Sequence, residues 1–335
     1  MSDSKHPFDR NIICPITGED LFQEGNVLKA VDSDNCYEIS DGILQMFVDP
    51  ANSTATTLSD TTRTVQDFYT DAPFPNYNEF DDMRVFVARA NKGVFARLLR
   101  EQIPMNSKLL EVGCGTGQLS NYLAATTASH VYATDMTLPS LELGIEFASK
   151  NEIKGIRFIQ MNLFYPCIKK HSMDIVISNG VLHHTADTKA AFLSIAPLVK
   201  PGGYIIVGLY NKIGRLRTDL RRQLYKLFGE PVLFLDPHLR KDLSTEKRRA
   251  WIQDQYKHPR ESKHTMSETL QWFAEAGFKF VSSIPKVIGT FSADEKLFEA
   301  KSPGSSFERV AIEVEMLLSH YGSEGGLFIM IGQKI

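Results

Sequence analysis

Between residues 105 and 210 two periods alternate along the chain. Short apolar runs, "KLLEVG", "HVYATD", "IRFIQMN", "DIVISNG" and "YIIVGLY", each have the length and β-branched content of a buried strand. Between them, "TGQLSNYLAATT", "TLPSLELGIEFASKN" and "TKAAFLSIAPLVKPGG" place apolar residues at helical spacing. Strands that alternate with helices predict an α/β fold of Rossmann-like type, a mainly parallel sheet with helices on both faces. In such a sheet the ligand sits beyond the carboxyl ends of the strands, where strand order reverses.

The pattern changes on either side of this block. Residues 1–50 contain short β-like pieces broken by turn residues and read as a small β-rich domain. Residues 51–104 begin as a polar, Ser/Thr-rich stretch that reads as a flexible connector. An aromatic, proline-broken segment follows, "DFYTDAPFPNY", then a helix from Asp81 onward. Residues 211–264 form a polar helical insertion after the fifth strand. Residues 265–335 return to a helix–strand unit and close on the apolar strand "GGLFIMIGQK".

A chain of 335 residues suits one large domain with appendages, or two domains. Its net charge of −3 argues against a nucleic-acid partner for the molecule as a whole. The polar start and the lack of any long apolar run predict neither a signal peptide nor a membrane span. Four scattered cysteines read as reduced thiols, so a cytoplasmic location is expected.

The first strand runs into "LLEVGCGTGQLS", with glycines at alternate positions 113, 115 and 117. The dinucleotide fingerprint needs its third glycine at position 118, which is Gln118, and no Gly-Lys-Ser/Thr follows for a phosphate loop. What remains is an acid followed by three alternating glycines, from Glu111 to Gly117. With it come Asp135 closing "VYATD", then "MNLFY", "DIVISNGVLHH" and "LVKPGGYIIVG", in that order. In these five landmarks the chain resembles the class I S-adenosylmethionine-dependent methyltransferases, well over residues 105–210 and more loosely over 265–335. The resemblance implies a seven-stranded, mainly parallel sheet. It implies S-adenosyl-L-methionine as cofactor and S-adenosyl-L-homocysteine as product.

It also implies a binding set. Gly113, Gly115 and Gly117 let the backbone approach the amino-acid part of the ligand. Asp135 would accept from the ribose hydroxyls; as an alternative it caps the next helix. Glu111 would reach the ligand ammonium, or else fix the loop. Asn162 stands where relatives carry an Asp that contacts adenine, and its carbonyl oxygen can accept the same bond. Met136 and Leu163 would wall the adenine ring or pack in the core, and Asn179 ends the fourth strand at the ligand face.

Methyl transfer from a sulfonium needs alignment and exclusion of water, and a base only if the nucleophile must lose a proton. His183 and His184 are the candidates for such a base, against a packing or positioning role. Relatives that methylate nucleobase or amide nitrogens carry Asn/Asp-Pro-Pro-Tyr where this chain has Asn179-Gly180-Val181-Leu182, which argues against that chemistry. Tyr69 and Tyr77 would line a lid over the site or form a strap on the core. Tyr210, at the end of the fifth strand, is a further candidate for substrate contact. His258 and His264 belong to the dense polar stretch "YKHPRESKHT", where Thr265 and Glu268 also fit a capping box. From Lys212 to Arg249 there are 11 basic residues against 5 acidic ones. Arg221 within this run would face an anionic substrate, or the whole run is a solvated face.

"CPITGEDL…NCYEISDGIL" resembles the zinc-ribbon-like segment found with some methyltransferases. Only Cys14 and Cys36 remain of two Cys pairs, so no metal is expected. The expected function is methyl transfer to a small or carrier-bound metabolite. The alternatives are an RNA or protein acceptor held by the basic cap, and a non-catalytic partner subunit. The sequence assigns no oligomeric state.

Overall fold

The computed structural model describes residues 8–49, 56–71, 73, 75, 77, 82–240, 245–258, 260–318 and 326–335. Phe74 of the aromatic segment, Pro259 of the 256–265 stretch and residues 51–55 and 241–244 lie outside them. The chain begins with four short strands, β1 (Leu21–Glu24), β2 (Val27–Ala30), β3 (Cys36–Ser40) and β4 (Ile43–Gln45). Helices α1 (Thr56–Asp71), α2 (Met83–Ala90) and α3 (Val94–Gln102) lead into the core.

The core alternates β5 (Lys108–Val112), α4 (Gln118–Thr126), β6 (His130–Asp135), α5 (Leu138–Lys150), β7 (Ile156–Gln160), β8 (Met173–Asn179), α6 (Thr188–Ile195) and β9 (Val199–Tyr210). The insertion supplies α7 (Leu216–Phe228) and α8 (Thr245–Ile252). Then come α9 (Met266–Glu275), β10 (Phe278–Ile284), α10 (Ser306–Leu318) and β11 (Leu327–Lys334). The core strands lie in the order β7-β6-β5-β8-β9-β11-β10. Pairing is parallel from β7 to β9, and β11 runs antiparallel between β9 and β10. Strand order reverses between β5 and β8, which places the ligand crevice at their carboxyl ends.

The continuous apolar runs have a simple cause. Leu110, Val112 and Val176 pack into the cluster on one face of the sheet with Phe192 of α6 and Phe273 of α9. Leu109, Ile175 and Ile177 pack into the opposite cluster with Leu98 of α3 and Leu123 of α4. A strand buried on both faces has no polar side to alternate with.

The sheet has eleven strands where the sequence suggested seven. The extra four are β1–β4, which continue it: β4 pairs in parallel with β7, Leu44 opposite Ile159. Cys14 is buried, its Sγ 3.1 Å from the Tyr37 hydroxyl, and accepts from the Thr17 backbone N–H at 3.4 Å, while Cys36 is exposed.

The stretch expected to be a connector is helical from Thr56. Its Val65 is buried, with Thr62 one turn earlier, and the Gln66 amide donates to the Met136 carbonyl at 3.1 Å. Burial of that stripe outweighs the weak helix propensity of its many threonines. Among the described residues, no helix is long and apolar enough to cross a membrane.

Candidate functional site

The three alternating glycines of the turn after β5 all adopt left-handed backbone, at φ of 75°, 54° and 73°. Only glycine enters this region without strain. Space is also closed at two of them. A Cβ at Gly113 would lie 2.4 Å from Val181 Cγ1, and one at Gly117 would lie 2.9 Å from Phe158. The turn therefore holds Val181, from the loop after β8, against its own backbone.

A cavity of about 480 Å³ opens over this turn, within the usual size for a small-ligand site. Its inner end is walled by Glu111, Gly113, Gly115, Asp135, Met136, Asn162, Leu163 and Asn179. Gly117 lies behind this wall. Its outer end is walled by Thr61, Val65 and Tyr69 of α1, His184 and Thr185 of the loop after β8, Tyr210 of β9, and Trp251 and Gln255 of the insertion.

Asp135 ends β6 with its carboxylate already engaged. It accepts from the Gly115 N–H at 2.9 Å, the Thr137 N–H at 3.0 Å and the Thr137 hydroxyl at 2.9 Å. The N-cap of α5 is Thr137, so Asp135 braces the residue at the helix start and does not cap the helix itself. Loss of water raises the Asp135 pKa, although these donors oppose the shift. Burial likewise pushes the Glu111 carboxyl up to about 7, against the hydrogen bond from the Ser120 hydroxyl at 2.5 Å. The Asn162 carbonyl oxygen accepts from Phe164 N–H at 3.0 Å and its amide donates to Val48 O at 3.0 Å. One lone pair of that oxygen stays available. Asn179 Oδ1 is buried and finds no hydrogen-bond partner among the described residues. Its side chain lies over Gly208, where a Cβ would fall 1.8 Å from that oxygen.

The histidines divide. His184 lines the cavity, whereas His183 is fully buried behind it. Neither ring nitrogen of His183 has a hydrogen-bond partner among the described residues. Burial, and then repulsion from His184, hold the His183 pKa well below the ordinary value. Burial lowers that of His184 to about 4. His184 Nδ1 lies 2.9 Å from the Arg260 carbonyl. A carbonyl only accepts, so Nδ1 carries the proton and Nε2 the lone pair.

Several expected substrate contacts sit elsewhere. Tyr77 is off the cavity wall: it stacks on Phe147 at 4.2 Å, donates to Thr116 O and accepts from Asn121, bracing the segment above the glycine turn. Arg221 faces Asp236 at 3.4 Å and Thr218 at 3.0 Å, not the cavity. His264 lies beside Ser262 and Glu268, at the capping box that Thr265 and Glu268 do form. His258 packs on His184, ring centres 3.8 Å apart, and on Tyr69 at 5.5 Å. It stands one layer behind the wall. The polar density of residues 256–265 goes into strapping the insertion to the core: Arg260 donates to the Thr185 and Ala186 carbonyls, and Ser262 to that of His183.

Sequence reasoning missed Thr61, Val65, Thr185, Trp251 and Gln255. The α1 pair could have been found from the helical spacing of Val65, Phe68 and Tyr69 within a polar stretch. Trp251 and Gln255 reach the cavity only through tertiary contacts. Asp236 gathers Trp251 Nε1, Tyr256 OH and His238 N–H within 3.0 Å. Burial opposes its charge, yet these donors and Arg221 hold its pKa down. Arg215, fully buried, donates twice to Glu261 and once to Gln255, and its guanidinium lies 3.6 Å over the Tyr210 ring.

The sequence model of the methyltransferase domain family matches residues 104–277. An uncharacterised protein of Synechococcus is 24% identical over 198 residues, covering 52% of this chain and 48% of that protein. A ubiquinone biosynthesis O-methyltransferase of Neisseria meningitidis is 32% identical over 113 residues, covering 31% of this chain and 44% of that enzyme. The chain thus spans less than half the length of these curated relatives. Magnesium protoporphyrin IX methyltransferase from Synechocystis aligns over 84% of this chain and all of that one, with 16% identity and a TM-score of 0.46. The family match covers just over half of the chain and spans the glycine turn and the acid that closes the second core strand, and the chain belongs to the family of class I S-adenosylmethionine-dependent methyltransferases.

Proposed function

We propose that this chain transfers a methyl group from S-adenosylmethionine to a small or carrier-bound metabolite. The observation that carries the reading is the single cavity with two unlike ends: an acid-and-glycine end at the switch point of the sheet, and an aromatic end under the insertion. The residues fit the cofactor. Left-handed glycines give its amino-acid part close access to backbone, Glu111 faces a cation-binding position, and Asp135 retains acceptor capacity for ribose hydroxyls. The buried, unpartnered Asn179 Oδ1 is a further acceptor that a bound donor would satisfy.

S-adenosylmethionine supplies an electrophilic methyl on a sulfonium, open to in-line displacement. This chain's own work is to orient and to dry the site. Tyr69 from α1 and Trp251 from the insertion line the outer end with apolar surface from which a bound acceptor would displace water. His184 presents a neutral acceptor that can hold an acceptor hydroxyl in line; with a pKa near 4 it positions rather than abstracts. The similarity to a ubiquinone biosynthesis O-methyltransferase supports a small acceptor. Calorimetric titration with S-adenosylmethionine and S-adenosylhomocysteine tests the reading: micromolar binding is expected, and no binding by the folded protein overturns it.

A further inference from the structure

The basic insertion suggests an anionic acceptor, and the side chains point the other way. Several of its cations are paired with neighbouring acids. Arg215 and Arg222 share Glu261, Arg221 meets Asp236, and Lys263 meets Asp219. Among the described residues that wall the cavity there is no lysine and no arginine. Among these described residues the only acids, Glu111 and Asp135, lie at the inner end, and the one histidine, His184, is neutral.

We infer that the outer chamber selects an uncharged, largely apolar acceptor, and that it excludes ions of either sign; this rests on the methyltransferase reading above. An anion entering between Tyr69, Tyr210 and Trp251 would lose water and gain no opposite charge. A cation would ordinarily find such an aromatic wall attractive. Here the Tyr210 ring already carries the Arg215 guanidinium at 3.6 Å, and Gln255, which donates to the Tyr210 hydroxyl at 3.0 Å, also accepts from Arg215. The guanidinium, itself paired with Glu261, already covers one face of that ring and leaves the face closed to a second cation. A neutral ring or chain buries apolar surface against Val65 and the aromatic side chains and meets no such penalty. Arg215, Arg221 and Arg222 brace the chamber from behind without entering it.

The test uses the full chain saturated with S-adenosylhomocysteine and three probes of matched size: 2-naphthol, 2-naphthoate and 2-naphthylmethylammonium, titrated by calorimetry. The neutral probe is expected to bind at least tenfold more tightly than either ion. Thr61→Lys, which adds a cation to the wall on α1, is expected to move the preference toward 2-naphthoate by at least tenfold. The inference is overturned if either ion binds as tightly as 2-naphthol, or if none of the three binds while S-adenosylhomocysteine does. Failure of S-adenosylhomocysteine itself to bind would instead remove the methyltransferase reading on which the inference stands.

Discussion

Asp135 accepts a hydrogen bond from the backbone N–H of Gly115 at 2.9 Å. The acid that closes β6 and the glycine turn that follows β5 are thereby one rigid unit, twenty residues apart in the chain. Asp135→Ala removes both a ligand acceptor and the brace on the turn. Hydrogen bonds to charged groups contribute about 1.5–3 kcal/mol, so S-adenosylhomocysteine affinity is expected to fall at least tenfold by calorimetry. Unchanged affinity in a folded variant would remove Asp135 from the site.

Cofactor affinity should depend on pH through Glu111. Burial places its folded pKa at about 7, so much of it is protonated in the free protein at neutral pH. A ligand ammonium favours the carboxylate, so binding expels a proton and tightens as pH rises through 7. Titrations at pH 6 and 8 should show this slope. Glu111→Gln should flatten it and weaken binding, and an equal slope in the variant would mean that another group titrates.

Gly113→Ala meets two obstacles, the left-handed backbone and the Val181 side chain. Left-handed backbone alone costs about 1–2 kcal/mol. The melting temperature should fall, and adding Val181→Ala should restore part of the loss. The rescue is expected to be incomplete because the strain remains; full rescue would show that the clash alone mattered.

His184 stays uncharged in the folded protein down to pH about 4, whereas an unfolded histidine titrates near ~6.5. Its contribution to stability is full above the unfolded value and is lost as pH falls from there toward 4. In a kcat profile with any acceptor found, no limb assignable to His184 should lie between pH 6 and 8. A limb there that His184→Gln abolishes would make it a base after all.

Arg215 is buried with Glu261, and removing one partner of a buried pair costs about 3–5 kcal/mol. Arg215→Met should therefore lower the melting temperature sharply. Glu261, whose pKa the two arginines hold down against burial, should make the wild type lose stability as pH falls below the ordinary carboxylate range. A melting temperature that does not fall as pH is lowered from 4.5 to 3 would contradict this.

The glycine turn, Asp135 and the core strands were legible because their requirements are local. A left-handed turn needs glycine wherever it occurs, and a strand buried on both faces needs an apolar run. The outer chamber was not legible in that way. Arg221 reads as a substrate contact from its neighbours in the chain, yet Asp236, brought beside it by the fold, claims it. Trp251 reads as one aromatic in a basic run until Asp236 turns it toward the cavity. The threonines of α1 disguise a helix whose packing stripe is only a few residues wide. In each case a contact remote in sequence decides the role, and charge composition misleads because it counts residues without their partners.

The pairing of β4 with β7 has a bearing on how the molecule comes into being. Leu44 meets Ile159, and Val48 receives the Asn162 amide, across more than a hundred residues of chain. The front of the polypeptide must therefore wait, as it leaves the ribosome, until the third core strand has been made before it finds its neighbour. Contacts this distant are slow to close, so the wall beside Asn162 should be among the last parts of the cavity to form. A nascent chain stopped short of β7 would carry β4 as an unmatched edge, open to the wrong partner.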